Sequence, residues 1–170
     1  MSTLNVALIF VGAFCVMEPV TYLAHRFVMH GIGWALHRSH HAAAAGRFEA
    51  NDAFPLVFGS LTVLAMAVGF NVSSLRFLVA LTAGITLYGA AYGFVHDVYI
   101  HGRLGLWPRL PGSPVLERLR WAHGLHHRYG GEPYGMLVPI VPRALRSRAA
   151  GAVLGGHRSA RPPAAGKARA

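Results

Sequence analysis

His25-Arg-Phe-Val-Met-His30-Gly-Ile-Gly-Trp-Ala-Leu-His37-Arg-Ser-His40-His41 holds five histidines, and the chain writes their pattern a second time. The second copy is His96-Asp-Val-Tyr-Ile-His101, followed by His123-Gly-Leu-His126-His127. Each half has one HxxxxH and then one HxxHH. Ten of the eleven histidines fall in these two windows, and a spacing repeated as well as a composition repeated is the mark of a metal site.

The two spacings do different mechanical things. In HxxHH the rings stand at i, i+3 and i+4, on one face of an α-helix, so three imidazoles can converge on one small volume. In HxxxxH, five steps of ~100° turn the second ring ~140° away from the first. A straight α-helix cannot bring that pair together. The expectation is a helix-end pair, one ligand on the last turn and the other past a break, with Gly31 and Gly102 as the terminators.

Ligand number narrows the chemistry. A structural zinc site closes at four ligands, which leaves far too many histidines for one ion. Two ions sharing ten imidazoles, about five each, would keep the open positions that a catalytic metal needs. Imidazole suits Fe, Zn, Cu and Ni alike, so the donors do not select the element. His25, His30, His37, His40, His41, His96, His101, His123, His126 and His127 are the ligand candidates. His157 stands alone and is read as no ligand.

The rest of the chain reads as an integral membrane protein. It is 54% hydrophobic with positive mean hydropathy, and charged residues are 13%, about half the usual share of a soluble domain. Seven of the sixteen Lys and Arg lie between Arg143 and Arg169, where no acid occurs. Basic residues beside membrane spans explain the net charge of +10 better than nucleic acid does, and no nucleic-acid partner is expected. Cys15 is the only cysteine; it forms no internal disulfide and is read as a packing residue.

Three spans are expected. Leu4–Ala24 lacks the basic start of a signal peptide and reads as a retained helix. Glu18 and Pro19 interrupt it. A carboxylate within a span is a functional candidate, and Glu18 lies one heptad before His25, so it is read as an outer partner of the metal site, with a protonated packing role as the alternative. Pro19 should kink the helix. A short helix over Gly33–Ala45 carries His37, His40 and His41, with Gly46 as its stop. Asn51-Asp52 caps the second span, Phe54–Phe70. The polar break Asn71–Ser74 precedes the third, Leu75–Val95, which runs into His96. Asp97 is a second outer-partner candidate.

Two spans separate the histidine halves, so both halves face one side. Eight arginines flank that side and only Arg76 the other, which makes the histidine side cytoplasmic. Residues 102–112 form a Pro/Gly-rich link. Ser113-Pro114 starts a helix on which Leu116 and Leu119 lead into His123, His126 and His127. Leu137–Pro142 looks interfacial. The fold class is thus all-α, with about three transmembrane helices and short helices carrying a di-metal site. Residues 1–150 form the domain; 151–170 are expected to be a disordered basic Ala/Arg tail.

The strings MHGIGWALHRSHH, AYGFVHDVYIHGRL and LRWAHGLHHRYGGEPYG resemble bacterial β-carotene 3-hydroxylases, within the fatty acid hydroxylase/sterol desaturase superfamily. The resemblance spans roughly Glu18 to Pro139. It implies a non-haem di-iron membrane monooxygenase whose metals sit on the ten histidines. It also implies O2 as co-substrate, electrons from a ferredoxin/NAD(P)H system, and a carotenoid taken from the bilayer. β-Carotene would pass through cryptoxanthin to zeaxanthin. Two departures bear on ring preference: no Cys-Ser pair follows the last HxxHH, and the Ala/Arg tail has no counterpart. Bottom-up chemistry agrees, because a hydrocarbon C–H offers nothing to acid–base or nucleophilic catalysis and requires activated O2. Phe54, Phe58, Tyr88 and Tyr92 are expected to line the substrate's entry. Acyl or sterol oxidation is the alternative within the superfamily. A metal transporter or sensor is the alternative outside it.

Overall fold

In the computed structural model, residues 1–42, 48–103 and 113–159 are described, with 153–159 as backbone alone. Every regular element among them is helical. The Ser2 hydroxyl accepts from Asn5 N at 3.3 Å and opens α1, Thr3–Leu23, which Pro19 does not end. A π-helical segment, Ala24–Ile32, follows without interruption. Then come α2, Trp34–His41; a 3-10 turn, Ala50–Asp52; α3, Ala53–Asn71; a second 3-10 turn, Ser73–Leu75; and α4, Phe77–Gly93. Another π segment, Phe94–Ile100, extends α4; α5 is Pro114–Tyr129 and α6 is Arg143–Ser159.

Three of these runs are long and apolar enough to cross a membrane: Thr3–Ile32, Ala50–Asn71 and Phe77–Ile100. They carry the expected spans, each a few residues longer, because the π segments and the turn before α3 continue the helices beyond their apolar stretches. Their outer faces stay apolar and open, with Leu8, Val16, Leu61, Leu64 and Leu87 all exposed. Cys15 is on this outward side, so it packs no protein core.

Close backbone approach holds the spans together. A Cβ on Gly84 of α4 would collide with the Phe10 carbonyl of α1 and reach Ala13 Cβ at 2.9 Å. Between α3 and α4, a Cβ on Gly69 would lie 3.0 Å from Leu78 Cβ. In lipid, where apolar side chains gain little by leaving one apolar medium for another, such contacts carry much of the association. α1 and α4 both deliver their C-terminal ends to the histidines, and α3 starts beside them. There Val95, Leu119 and Met136 form a small core with Tyr92, Ile100, Leu116 and Leu137.

Three local expectations are corrected. α2 ends at His41, and Ala42 is extended (φ −81°, ψ 159°) despite the strong helix propensity of alanine. The chain must turn there towards Glu49–Asp52, whose side chains serve the histidines; Ala43–Ala45 and Gly46 lie outside the described residues. Asp52 makes no side-chain cap to α3, and Asn51 is buried, because both side chains are spent elsewhere. The tail is helical from Arg143 to Ser159, so 151–159 is not the disordered segment expected. Ala149, Ala150 and Ala152 carry a helix through it, since net charge alone does not unmake good helix formers. Residues 160–170 and most of the link 102–112 lie outside the described residues. The compact unit ends at Ile140, with a second unit from Val141.

Candidate metal centre

The HxxxxH pairs meet by a route the α-helical reading did not contain. A π turn closes i→i+5 hydrogen bonds, so residues five apart stack above one another. His101 N donates to His96 O at 3.0 Å, and the two rings lie 4.7 Å apart by centroid. His25 and His30, on the first π segment, are 5.1 Å apart. No break falls between the paired ligands. The breaks come directly after them, at Gly31 (φ −104°, ψ −113°) and at Gly102 (φ 61°).

Two groups of ligand atoms result. His25, His30, His37, His41 and His126 place one nitrogen each within 4.8 Å of one another, and so do His40, His96, His101 and His123. Each HxxHH triplet is therefore split: His37 and His41 go to the first group and His40 to the second, while His126 and His123 part in the same way. His127 adjoins the second group, with its ring 4.5 Å from His123 and 5.1 Å from His101, and it stacks on His41 at 4.4 Å. Its Nε2 is buried and has no hydrogen-bond partner, which is costly for a polar atom unless something is meant to meet it.

The hydrogen bonds on the far side of the rings fix what the near side offers. His25 Nδ1 donates to Tyr134 O (3.0 Å), His37 Nδ1 to Asn51 Oδ1 (2.7 Å) and His126 Nδ1 to Gly131 O (2.6 Å). His40 Nδ1 donates to Glu49 Oε2 (3.0 Å) and His96 Nδ1 to Asp97 Oδ1 (3.2 Å). These oxygens only accept, so each Nδ1 carries the proton and each Nε2 is a bare lone pair. Yet His25 Nε2 lies 3.1 Å from His37 Nε2, and His96 Nε2 lies 3.0 Å from His40 Nε2. Neither contact can be a hydrogen bond. Two lone pairs held face to face suit a shared cation, and two nitrogens ~2.1 Å from one ion at ~90° are themselves ~3.0 Å apart. The donor set fits a metal pair.

Burial keeps these bases neutral. It is the largest cause that pushes His41, His101 and His126 down to about 4 and His127 down to about 2. It also lowers His37, His40 and His123. An imidazole that refuses a proton at neutral pH keeps its lone pair for a metal.

Beyond the second group stands a charged frame that the sequence did not reveal. Arg103 grips Asp52 through two bonds of 2.7 Å, donates to Asp97 Oδ1 at 3.0 Å and comes within 3.8 Å of Glu49 Oε1. Asp97 therefore touches His96 directly. Glu49, Asn51, Asp52 and Arg103 were missed because a single acid or amide between motifs carries no periodic signal.

Glu18 sits elsewhere than expected. Its carboxylate accepts from Met136 N, Leu137 N and Val138 N at 3.0, 3.1 and 2.9 Å and from the Tyr88 hydroxyl at 2.6 Å. It contacts none of the histidines in these bonds. It pins the segment whose Tyr134 carbonyl holds His25, and it accepts four hydrogen bonds. A Cβ on Gly135 would meet Glu18 Oε1 at 2.8 Å and Val138 O at 3.2 Å, so a larger residue there would press on the bonded carboxylate. Tyr88 is thereby a structural partner in the α1–α4 seam. Tyr92 stacks on His96 at 5.1 Å, the Phe54 ring lies 6.4 Å from His37, and Phe58 is exposed.

A helical chain with three potential membrane spans and a doubled histidine cluster at the end of two of them has the make-up of an integral membrane protein with a candidate metal centre. Within it, the family model described as Fatty acid hydroxylase matches residues 10–147, and the chain belongs to that family. It is 42% identical over 137 residues to a chloroplastic β-carotene 3-hydroxylase of Haematococcus lacustris, covering 77% of this chain and 42% of that one. It is 40% identical over 118 residues to a β-carotene hydroxylase of Pantoea ananas, covering 68% and 65%. A β-carotene hydroxylase of Pseudescherichia vulneris is 36% identical over 148 residues, with 83% and 81% covered. The chain thus spans less than two thirds of the first two relatives and four fifths of the third. No solved structure matches it.

Proposed function

We propose that this chain hydroxylates carbon 3 of carotenoid β-ionone rings, using O2 and two iron ions, one in each histidine group, with electrons from a ferredoxin/NAD(P)H system. What carries the reading is the doubled histidine cluster in a chain that is similar, at 36–42% identity, to proteins named as β-carotene hydroxylases. Bound iron would supply the O2-activating redox chemistry that an unactivated C–H bond demands. The chain's own part is to orient and to exclude water. The Nδ1–H bonds to Tyr134 O, Asn51, Gly131 O, Glu49 and Asp97 lock five rings with their Nε2 lone pairs inward. Trp34 packs against His30 and His41 at 5.3 and 5.6 Å, and Tyr134 against His126 at 5.4 Å, walling the cluster with apolar ring faces. Because the histidines end apolar spans, a hydrocarbon dissolved in the bilayer can approach them without crossing water.

The test is expression, with a ferredoxin system, in a bacterium that accumulates β-carotene. Cryptoxanthin appears first and zeaxanthin later, since one site must act twice on a substrate with two like ends, and the new oxygen derives from labelled O2 and not from water. Unchanged β-carotene from well-expressed, iron-loaded protein would favour the acyl or sterol reading.

The histidine groups are assigned to the cytoplasmic face of a bacterial inner membrane, on the arginine distribution. Reporter fusions after residues 50 and 112 then both read cytoplasm, and one near Ser73 reads the outside. Opposite readings for the first two would place the two halves across the bilayer from each other and rule out a shared site.

A further inference from the structure

The two histidine groups have unlike surroundings. Around the first, the Nδ1 partners are neutral dipoles: Tyr134 O, Asn51 Oδ1 and Gly131 O. On that side Glu132 is engaged with Arg26 at 3.2 Å and with the Tyr22 hydroxyl, and touches none of the rings in these bonds. Around the second, both Nδ1 partners are carboxylates, Glu49 on His40 and Asp97 on His96. Glu49 is almost fully buried, its side chain 6% exposed. Asp52 joins them through Arg103, so three carboxylates face one guanidinium and the frame keeps net negative charge.

We propose that the carboxylate-backed group, His40, His96, His101 and His123 with His127 adjoining, is the high-affinity metal site and fills first. The five-histidine group with neutral backing binds its ion more weakly and fills second. The physical cause is direct. A carboxylate that accepts from Nδ1–H pushes electron density into the ring and makes Nε2 a stronger donor than an amide or carbonyl partner does. In a water-poor setting, the net negative charge of Glu49, Asp52 and Asp97 with Arg103, a few ångströms behind the candidate ligands, also favours a divalent cation. Arg103 acts as a positioning residue: by holding Asp52, Asp97 and Glu49 at one guanidinium it fixes where the two carboxylates that touch histidine can stand. The inference rests on the metal reading above but not on the substrate.

The experiment uses the full chain in detergent, stripped by chelator and titrated anaerobically with Fe(II) alone, with iron per chain measured against a competing chelator. Two resolved steps are expected. Glu49→Gln and Asp97→Asn each keep an acceptor oxygen for the ring but remove the charge. Each should weaken the tighter step by about 10–100-fold, the usual cost of losing an outer partner, and leave the weaker step in place. Asn51→Ala should act on the weaker step. Elution as a single monodisperse species, matching the parent, checks that each variant is folded, and a charge-removing isostere that changes one step and not the other cannot be explained by a general loss of structure. Two ions bound in one unresolved step, or both acid variants weakening the looser step, would overturn the inference alone. A parent chain that binds no iron would overturn the metal reading and the inference with it.

Discussion

His126→Ala protein should purify with one metal ion per chain where the proposed centre gives the parent two, and with turnover reduced more than ~100-fold, beyond the usual cost of losing an outer partner. His126 is the residue on which the first group closes. It is fully buried, its Nδ1 is committed to Gly131 O at 2.6 Å, and its Nε2 lies 3.1 Å from His30 Nε2. Its ring is also 4.5 Å from His25 and 4.8 Å from His41, so no other side chain can move into its place without displacing a ligand. His40→Ala should empty the other group and stop turnover equally, as a reaction that uses both proposed ions requires. His37→Ala, His41→Ala, His123→Ala and His127→Ala belong to the same set of expectations, whereas His157→Ala should leave activity intact. Elemental analysis of the purified variants beside pigment analysis of the expressing cells decides it. Two retained ions in His126→Ala would show that the first group does not hold a metal through this ring.

That the histidines gather was legible because histidine is rare and the spacing repeats. Their distribution was not. HxxHH tells the reader that His37, His40 and His41 share a helical face, and they do lie on one helix. It does not tell that a face seen from two sides can serve two centres, with His40 turned towards His96 and His37 towards His25. HxxxxH was read with an α-helical turn of ~100°, and that wrong period led to a break between the ligands where a π turn stands. The spans could be read from length and apolarity alone. Asp97 could be read from its place beside His96, but the link of Arg103 to Glu49 and Asp52 could not, since it joins residues about fifty positions apart, and such pairs leave no local trace.

Glu18→Ala should lower the unfolding midpoint of the detergent-solubilised protein by roughly 6–12 °C and loosen metal in the five-histidine group. The argument begins with four donors aimed at one carboxylate: Met136 N, Leu137 N, Val138 N and the Tyr88 hydroxyl. Removing the acceptor strands at least the two partly buried amides, at about 1–3 kcal/mol each. A loss of about 3 kcal/mol corresponds to that midpoint shift for a chain of this size. Metal follows because the segment is a lever: Glu18 pins 136–138, Tyr134 lies two residues before it, and the Tyr134 carbonyl holds His25 Nδ1 at 3.0 Å. With the segment released, His25 loses its fixed tautomer and its aim. Tyr88→Phe removes one donor of the four and leaves the three amides held, so it should cost about 1 kcal/mol and leave metal content unchanged. Glu18→Gln keeps one acceptor oxygen but turns an amide N–H towards the backbone donors, and should fall between the two. If Glu18→Ala matched the parent in midpoint and in iron per chain, residues 136–138 would be held by something other than this carboxylate.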